Sequence, residues 1–134
     1  MLIAIPKETA YGEKRAALIP ASVKKLVQLG AQVSVESGLG AAAGFSDEEY
    51  QAAGASLADD RSALLASAQM VLRVRKPELA DIELLQPGCI HVSFLDPFNE
   101  TAIIDAMRER NISAISMEMI PRSTRSQKMD ALSS

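Results

Sequence analysis

Tryptophan is absent from these 134 residues, and only three phenylalanines and two tyrosines supply aromatic rings. Five scattered aromatics are too few for a base-stacking platform. Basic excess is missing as well. Fourteen Lys and Arg against 17 Asp and Glu leave a net charge of −3, so no global positive field draws the chain to nucleic acid or an anionic membrane. One cysteine, Cys89, cannot close an internal disulfide, and with no second cysteine or suitably spaced histidine it does not make a zinc site. No metal is expected, and a reducing, cytoplasmic setting fits. No stretch of about 18 uncharged apolar residues occurs, so the chain does not itself span a membrane. Met1 to Glu8 lack the basic region, apolar stretch and cleavage site of a signal peptide.

What is present is a globular composition, 48% hydrophobic and 23% charged, in a length that suits one domain. A chain of this size hides roughly two-thirds of its unfolded surface. Short apolar runs alternate with 3.6-period segments, the pattern of a parallel α/β sheet. Leu2 to Ile5 reads as a strand. Pro20 opens a helix carrying Val23, Leu26, Val27 and Leu29 toward the core, and Gly30 stops it. Ala31 to Glu36 is the second strand. Ser46-Asp47-Glu48-Glu49 is a capping box for a helix ending at Gly54, and a short helix follows from about Asp60 to Ala68. Met70 to Val74 is the third strand, closed by Pro77. Leu79, Ile82 and Leu85 form an apolar stripe before the Pro87-Gly88 turn. Ile90 to Leu95 is the fourth strand. Asn99 is the expected N-cap of a helix presenting Ile103, Ile104 and Met107, Asn111 its stop, and Ile112 to Met117 the fifth strand. The expectation is a flavodoxin-like, three-layer parallel sheet of about five strands in order 2-1-3-4-5, with helices on both faces.

Gly38-Leu39-Gly40-Ala41-Ala42-Ala43 matches G-x-G-x-x-A after the second strand, but a phosphate loop must open a helix, and Gly44 interrupts any helix here. The run reads as an irregular connection. Ligands of open α/β sheets gather outside the carboxyl ends of the strands. Those loops hold Lys7, Glu8 and Arg15, then Arg75 and Lys76, then Asp96, then Glu118, Arg122 and Arg125. Their positive groups would converge on one rim able to hold a carboxylate or phosphate. His91, the one histidine, lies inside a strand and reads as packing, and Cys89 reads as a small buried apolar residue. Ser133 and Ser134 have no histidine nearby in sequence to activate them. The stretch from Pro121 is polar and basic, turns helical at Asp130-Ala131-Leu132 and stops without a cap, as if cut from something longer.

Ile3-Ala4-Ile5-Pro6-Lys7-Glu8, Arg15-Ala16-Ala17-Leu18-Ile19-Pro20, Val35-Glu36-Ser37-Gly38-Leu39-Gly40 and Phe45-Ser46-Asp47 together resemble the N-terminal domain shared by alanine dehydrogenase and the alpha subunit of NAD(P) transhydrogenase. The resemblance covers essentially the whole chain. The run Pro121 to Ser134 is similar to a signature that separates the transhydrogenases from the alanine dehydrogenases. The resemblance implies the first half of an NAD(H)-binding component that continues into a Rossmann half, and direct hydride transfer from NADH to NADP held on another component. That transfer is coupled to proton movement through a membrane part. It implies that Arg122 contacts NAD, that Gln127 approaches the nicotinamide, and that Asp130 and Ser133 orient the nicotinamide and its ribose. Gln127 and Asp130 would thus serve the transfer itself. A homodimer, cytoplasmic and peripheral to the inner membrane through its partners, goes with this reading.

Two alternatives stand beside it. The alanine dehydrogenase branch would use Arg15, a lysine near the third strand and a histidine after the fourth. This chain keeps Arg15 but has Arg75 and Asp96 at the other two places. The second alternative is a non-catalytic folding or dimerisation module, since Gly38 to Ala43 cannot stand in for a Rossmann half.

Overall fold

β1 (Leu2–Ile5) is an uninterrupted apolar run, as a strand covered on both faces must be. The computed structural model describes residues 1–9, 12–95 and 99–117. After β1 come α1 (Pro20–Gln28), β2 (Gln32–Glu36), a single 3₁₀ turn at Ala41–Ala43, α2 (Asp47–Ala52) and β3 (Ser56–Ala58). Then follow α3 (Arg61–Ser67), β4 (Met70–Arg75), α4 (Leu79–Leu84), β5 (Ile90–Phe94), α5 (Thr101–Glu109) and β6 (Ser113–Ser116). The strands form one parallel sheet in order β3-β2-β1-β4-β5-β6. The five expected strands stand in their expected order. The correction is β3, a sixth strand at the edge beyond β2, which turns the flavodoxin-like order into that of the doubly wound dinucleotide-binding fold.

Right-handed crossovers place helices on opposite faces as the chain winds outward in two directions from β1 and β4. Val23 of α1 and Tyr50 of α2 pack with Ile3, Ile5, Val33 and Val35 on one face. Leu64 and Leu65 of α3, Ile82 of α4 and Ile103 and Met107 of α5 pack with Ala4 and Val71 on the other. The buried Tyr50 hydroxyl donates to the Leu18 carbonyl at 2.8 Å, tying α2 to the loop before α1.

Local signals act where the sequence places them. Pro20 occupies the first turn of α1. Ser46 and Glu49 make the reciprocal capping box, with the Glu49 amide donating to Ser46 Oγ at 3.2 Å and the Ser46 amide to Glu49 Oε1 at 3.2 Å. Asn111 adopts φ 59°, the left-handed stop expected of it. Two expectations fail. Leu29 is not a core residue: it caps α1 at 83% exposure, because the helix ends one residue before it. The N-cap of α5 is Glu100, whose carboxylate instead pairs with Lys76, rather than Asn99.

Candidate functional site

The sheet divides between β1 and β4. These strands pair only at Ile3↔Met70 and Ala4↔Val71, and the chain then leaves β1 toward one face and β4 toward the other. The resulting crevice at the carboxyl ends is where folds of this order bind ligands. β4 bulges as it enters the crevice: Leu72 is opposite Val92 but Arg75 is opposite Phe94, so β4 carries one extra residue. Glu8, just past β1, closes the gap. Its carboxylate accepts from the Val74 amide at 2.9 Å and the Arg75 amide at 3.0 Å, taking the place of a ladder between diverging strands.

Glu13 builds the rim above. Its carboxylate accepts from the Arg15 amide, Nε and Nη2, each at 2.9 Å, and from Arg75 Nε at 2.8 Å. Its side chain is 4% exposed, while Arg15 and Arg75 are 65% and 55% exposed. The side-chain bonds from Arg15, with those from Arg75 added, lower the Glu13 pKa from 4.5 to about 2, and the same pairing raises that of Arg15. Arg15, Val74, Arg75 and Phe94 line an open hollow of about 250 Å³ beside it. One carboxylate shared by two guanidiniums leaves them spare N–H donors. The exposed Arg15 and Arg75 therefore suit holding and orienting an anionic group, while the Glu13 carboxylate stays ionised near neutrality.

Beneath the rim lies a second network. Arg61 Nη1 donates to the Lys7 carbonyl at 2.9 Å and to Glu36 Oε1 at 2.7 Å, while its Nε and Nη2 reach Asp81 at 3.3 and 3.1 Å. Buried Arg73 donates from Nη1 to Asp81 Oδ2 at 2.8 Å. Burial opposes the Asp81 charge, and Arg61 and Arg73 outweigh it, so its pKa lies below the ordinary value. Glu36 ends β2, where a dinucleotide-binding fold keeps its ribose-binding acid. Here that carboxylate is taken by Arg61 and by the Lys7 amide at 2.8 Å.

The glycine run is likewise committed. The Gly38 amide donates to Asp47 Oδ1 at 2.8 Å, and a Cβ on Gly40 would meet Tyr50 Cε2 at 2.7 Å. Among the described residues these features do not fit a dinucleotide cradle, and no cluster of His, Cys, Asp or Glu is arranged to hold a metal. His91 and Cys89 are 1% exposed, and burial pushes the Cys89 thiol up to about 11.

Of the residues singled out in the sequence, the fold brings Arg15 and Arg75 together at the switch point. Lys76 turns away to Glu100. Arg122, Gln127, Asp130 and Ser133 lie outside the described residues, as do Asp96, Glu118 and Arg125. Sequence reasoning missed Glu13 and the Arg61–Asp81–Arg73 network. A usable signal was Arg73, a charge inside a buried strand, which demands a partner.

Residues 4–134 match the family described as alanine dehydrogenase/PNT, N-terminal domain. The alpha subunit of NAD(P) transhydrogenase from Cereibacter sphaeroides is 41% identical over 134 residues, covering the whole of this chain and 26% of that protein. Alanine dehydrogenase from Methanococcus maripaludis is 33% identical over 126 residues, covering 94% of this chain and 34% of that protein. The crystal structure of transhydrogenase from Sinorhizobium meliloti superposes with a TM-score of 0.89 at 35% identity, covering 97% of this chain and 39% of that one. The chain thus spans well under half the length of these relatives.

Proposed function

Because the chain belongs to the alanine dehydrogenase/PNT N-terminal domain family, we propose that it is the NAD(H)-side N-terminal domain of a proton-translocating NAD(P) transhydrogenase. It acts beside a Rossmann half. The observation that carries this reading is the rim of Glu13, Arg15 and Arg75. An alanine dehydrogenase-type oxo-acid site would use a lysine at the end of β4, and Arg75 stands there instead with its guanidinium bound to Glu13. Hydride transfer between two nicotinamides needs two rings positioned and water excluded, with no acid or base from the protein. The 41% identity to the Cereibacter sphaeroides transhydrogenase alpha subunit, against 33% to the Methanococcus maripaludis alanine dehydrogenase, supports the same choice.

In this reading the dinucleotide cradle belongs to the Rossmann half. Arg122 contacts NAD, Gln127 lies near the nicotinamide, and Asp130 and Ser133 orient the ring and its ribose. Partners are an NADP-binding component, a membrane component and a second copy of the subunit, which place the domain at the cytoplasmic side of the inner membrane. A second reading, an alanine dehydrogenase-type oxo-acid site, draws on the Arg15–Arg75 hollow, which has room for a small carboxylate.

The test uses the intact subunit with its partner components. Gln127→Asn should slow NADH-dependent reduction of an NADP analogue while NADH binding, followed by fluorescence, changes little. Equal loss of both removes Gln127 from its assigned role. Turnover of pyruvate and ammonium with NADH by the same preparation would replace the transhydrogenase reading with the second one.

A further inference from the structure

β5 turns its polar residues inward. His91 and Ser93 are buried, while Ile90, Val92 and Phe94 on the opposite face are only half-buried. Alternation puts His91 and Ser93 on one face of the strand. Register places His91 beside Val71, which belongs to the core under α3, α4 and α5, so both polar side chains enter that core. Arg73 lies within the β4 bulge, the stretch opposite Ser93, and reaches Asp81 on α4.

Four polar atoms in this compartment have no hydrogen-bond partner among the described residues: His91 Nδ1, His91 Nε2, Ser93 Oγ and Arg73 Nε. His91 also feels the charges of both Arg73 and Asp81. A neutral imidazole has one donor and one acceptor, a hydroxyl has both, and Arg73 Nε adds a donor. Buried polar groups left in this way are those that an internal water satisfies, and a water needs two to four such partners.

We propose that the compartment between β4, β5 and α4 is a binding site for one ordered internal water, held by His91, Ser93 and Arg73. The water extends the Arg61–Asp81–Arg73 network to His91 and fixes which ring nitrogen carries the proton.

Because His91 is the chain's one histidine, its ring nitrogens are assigned in a nitrogen-15 correlation spectrum without ambiguity. At pH 7 the folded chain should show a single neutral tautomer whose ring N–H exchanges slowly and gives a cross-peak to water. Oxygen-17 relaxation dispersion should show that Ser93→Ala loses one long-lived water relative to the parent chain. Ser22→Ala, which removes an orphaned hydroxyl on the other face of the sheet, should lose none from this site and leave the His91 cross-peak intact. Should Ser93→Ala fail to fold, Ser93→Cys serves in its place, with the same loss expected. A direct scalar coupling from the His91 ring to a protein acceptor, no water cross-peak, or an unchanged count of long-lived waters in a folded Ser93 variant would each overturn the proposal.

Discussion

His91 makes the stability of this fold depend on pH in a way that one substitution can isolate. Burial, with the charge of Arg73 added, lowers its pKa from 6.5 to about 3. The native state therefore keeps a neutral imidazole while the unfolded chain takes up a proton once the pH falls below 6.5. Unfolding then binds a proton, and stability is lost progressively between pH 6.5 and pH 3. Each pH unit in that window costs about 1.4 kcal/mol, so His91 alone removes about 2 kcal/mol at pH 5 relative to pH 7. His91→Leu deletes the titrating group at nearly constant volume. Urea unfolding of both chains at pH 7 and pH 5 gives the comparison, with the carboxylates common to both cancelling in the difference. The parent chain should lose about 2 kcal/mol more than the variant. Equal losses would refute the argument, since they would mean that His91 titrates in the folded chain much as it does in the unfolded one.

Asp81→Asn leaves the Arg73 guanidinium buried without its counter-charge and should cost about 3 kcal/mol in urea unfolding. Adding Arg73→Met should recover part of that loss, and a double variant less stable than Asp81→Asn would contradict it. Glu13, held at about 2 by Arg15 and Arg75, contributes stability above pH 4.5 that disappears as pH falls toward 2. Because both guanidiniums are exposed, the contribution is about 1 kcal/mol, and Glu13→Gln should flatten that part of the acid-unfolding curve. Gly40→Ala drives a methyl into Tyr50 and Phe45 and should cost about 1–3 kcal/mol by thermal unfolding, whereas a neutral result would show that the α2 connection yields.

The architecture was legible because its signals are local. Pro20, the Ser46–Glu49 box and Asn111 each act within a turn of themselves, and the apolar runs of β1, β2, β4 and β5 needed no partner to be seen. β3 escaped because three residues, Ser56–Ala58, are too few to show a period, and pairing with β2 alone defines them. Leu29 misled because the helical stripe continues through it although the helix does not. At the site, Arg15 and Arg75 were visible as charges in rim loops. Glu8 was placed on the same rim, but its bonds to the Val74 and Arg75 amides, and the part played by Glu13, depend on the folded sheet. The Asp81 partnership likewise depends on α4 packing over β4.

The narrow seam between β1 and β4 also governs how the fold can be reached. Everything on one side of it, β1 to β3 with α1 and α2, is closed by near neighbours in the chain, and so is β4 to β6 with α4 and α5. The seam itself joins partners far apart, as where the Leu2 amide donates to Gln69 Oε1 at 2.7 Å across 67 residues. Closing a loop of that length costs about 4 kcal/mol of chain entropy before two rungs of ladder and the α3 crossover repay it. The β1–β4 pairing is therefore the contact whose loop-closure cost is met with least local support in the chain. The crevice that receives Glu8, Arg15 and Arg75 thus lies on the strand pairing with the greatest separation in sequence.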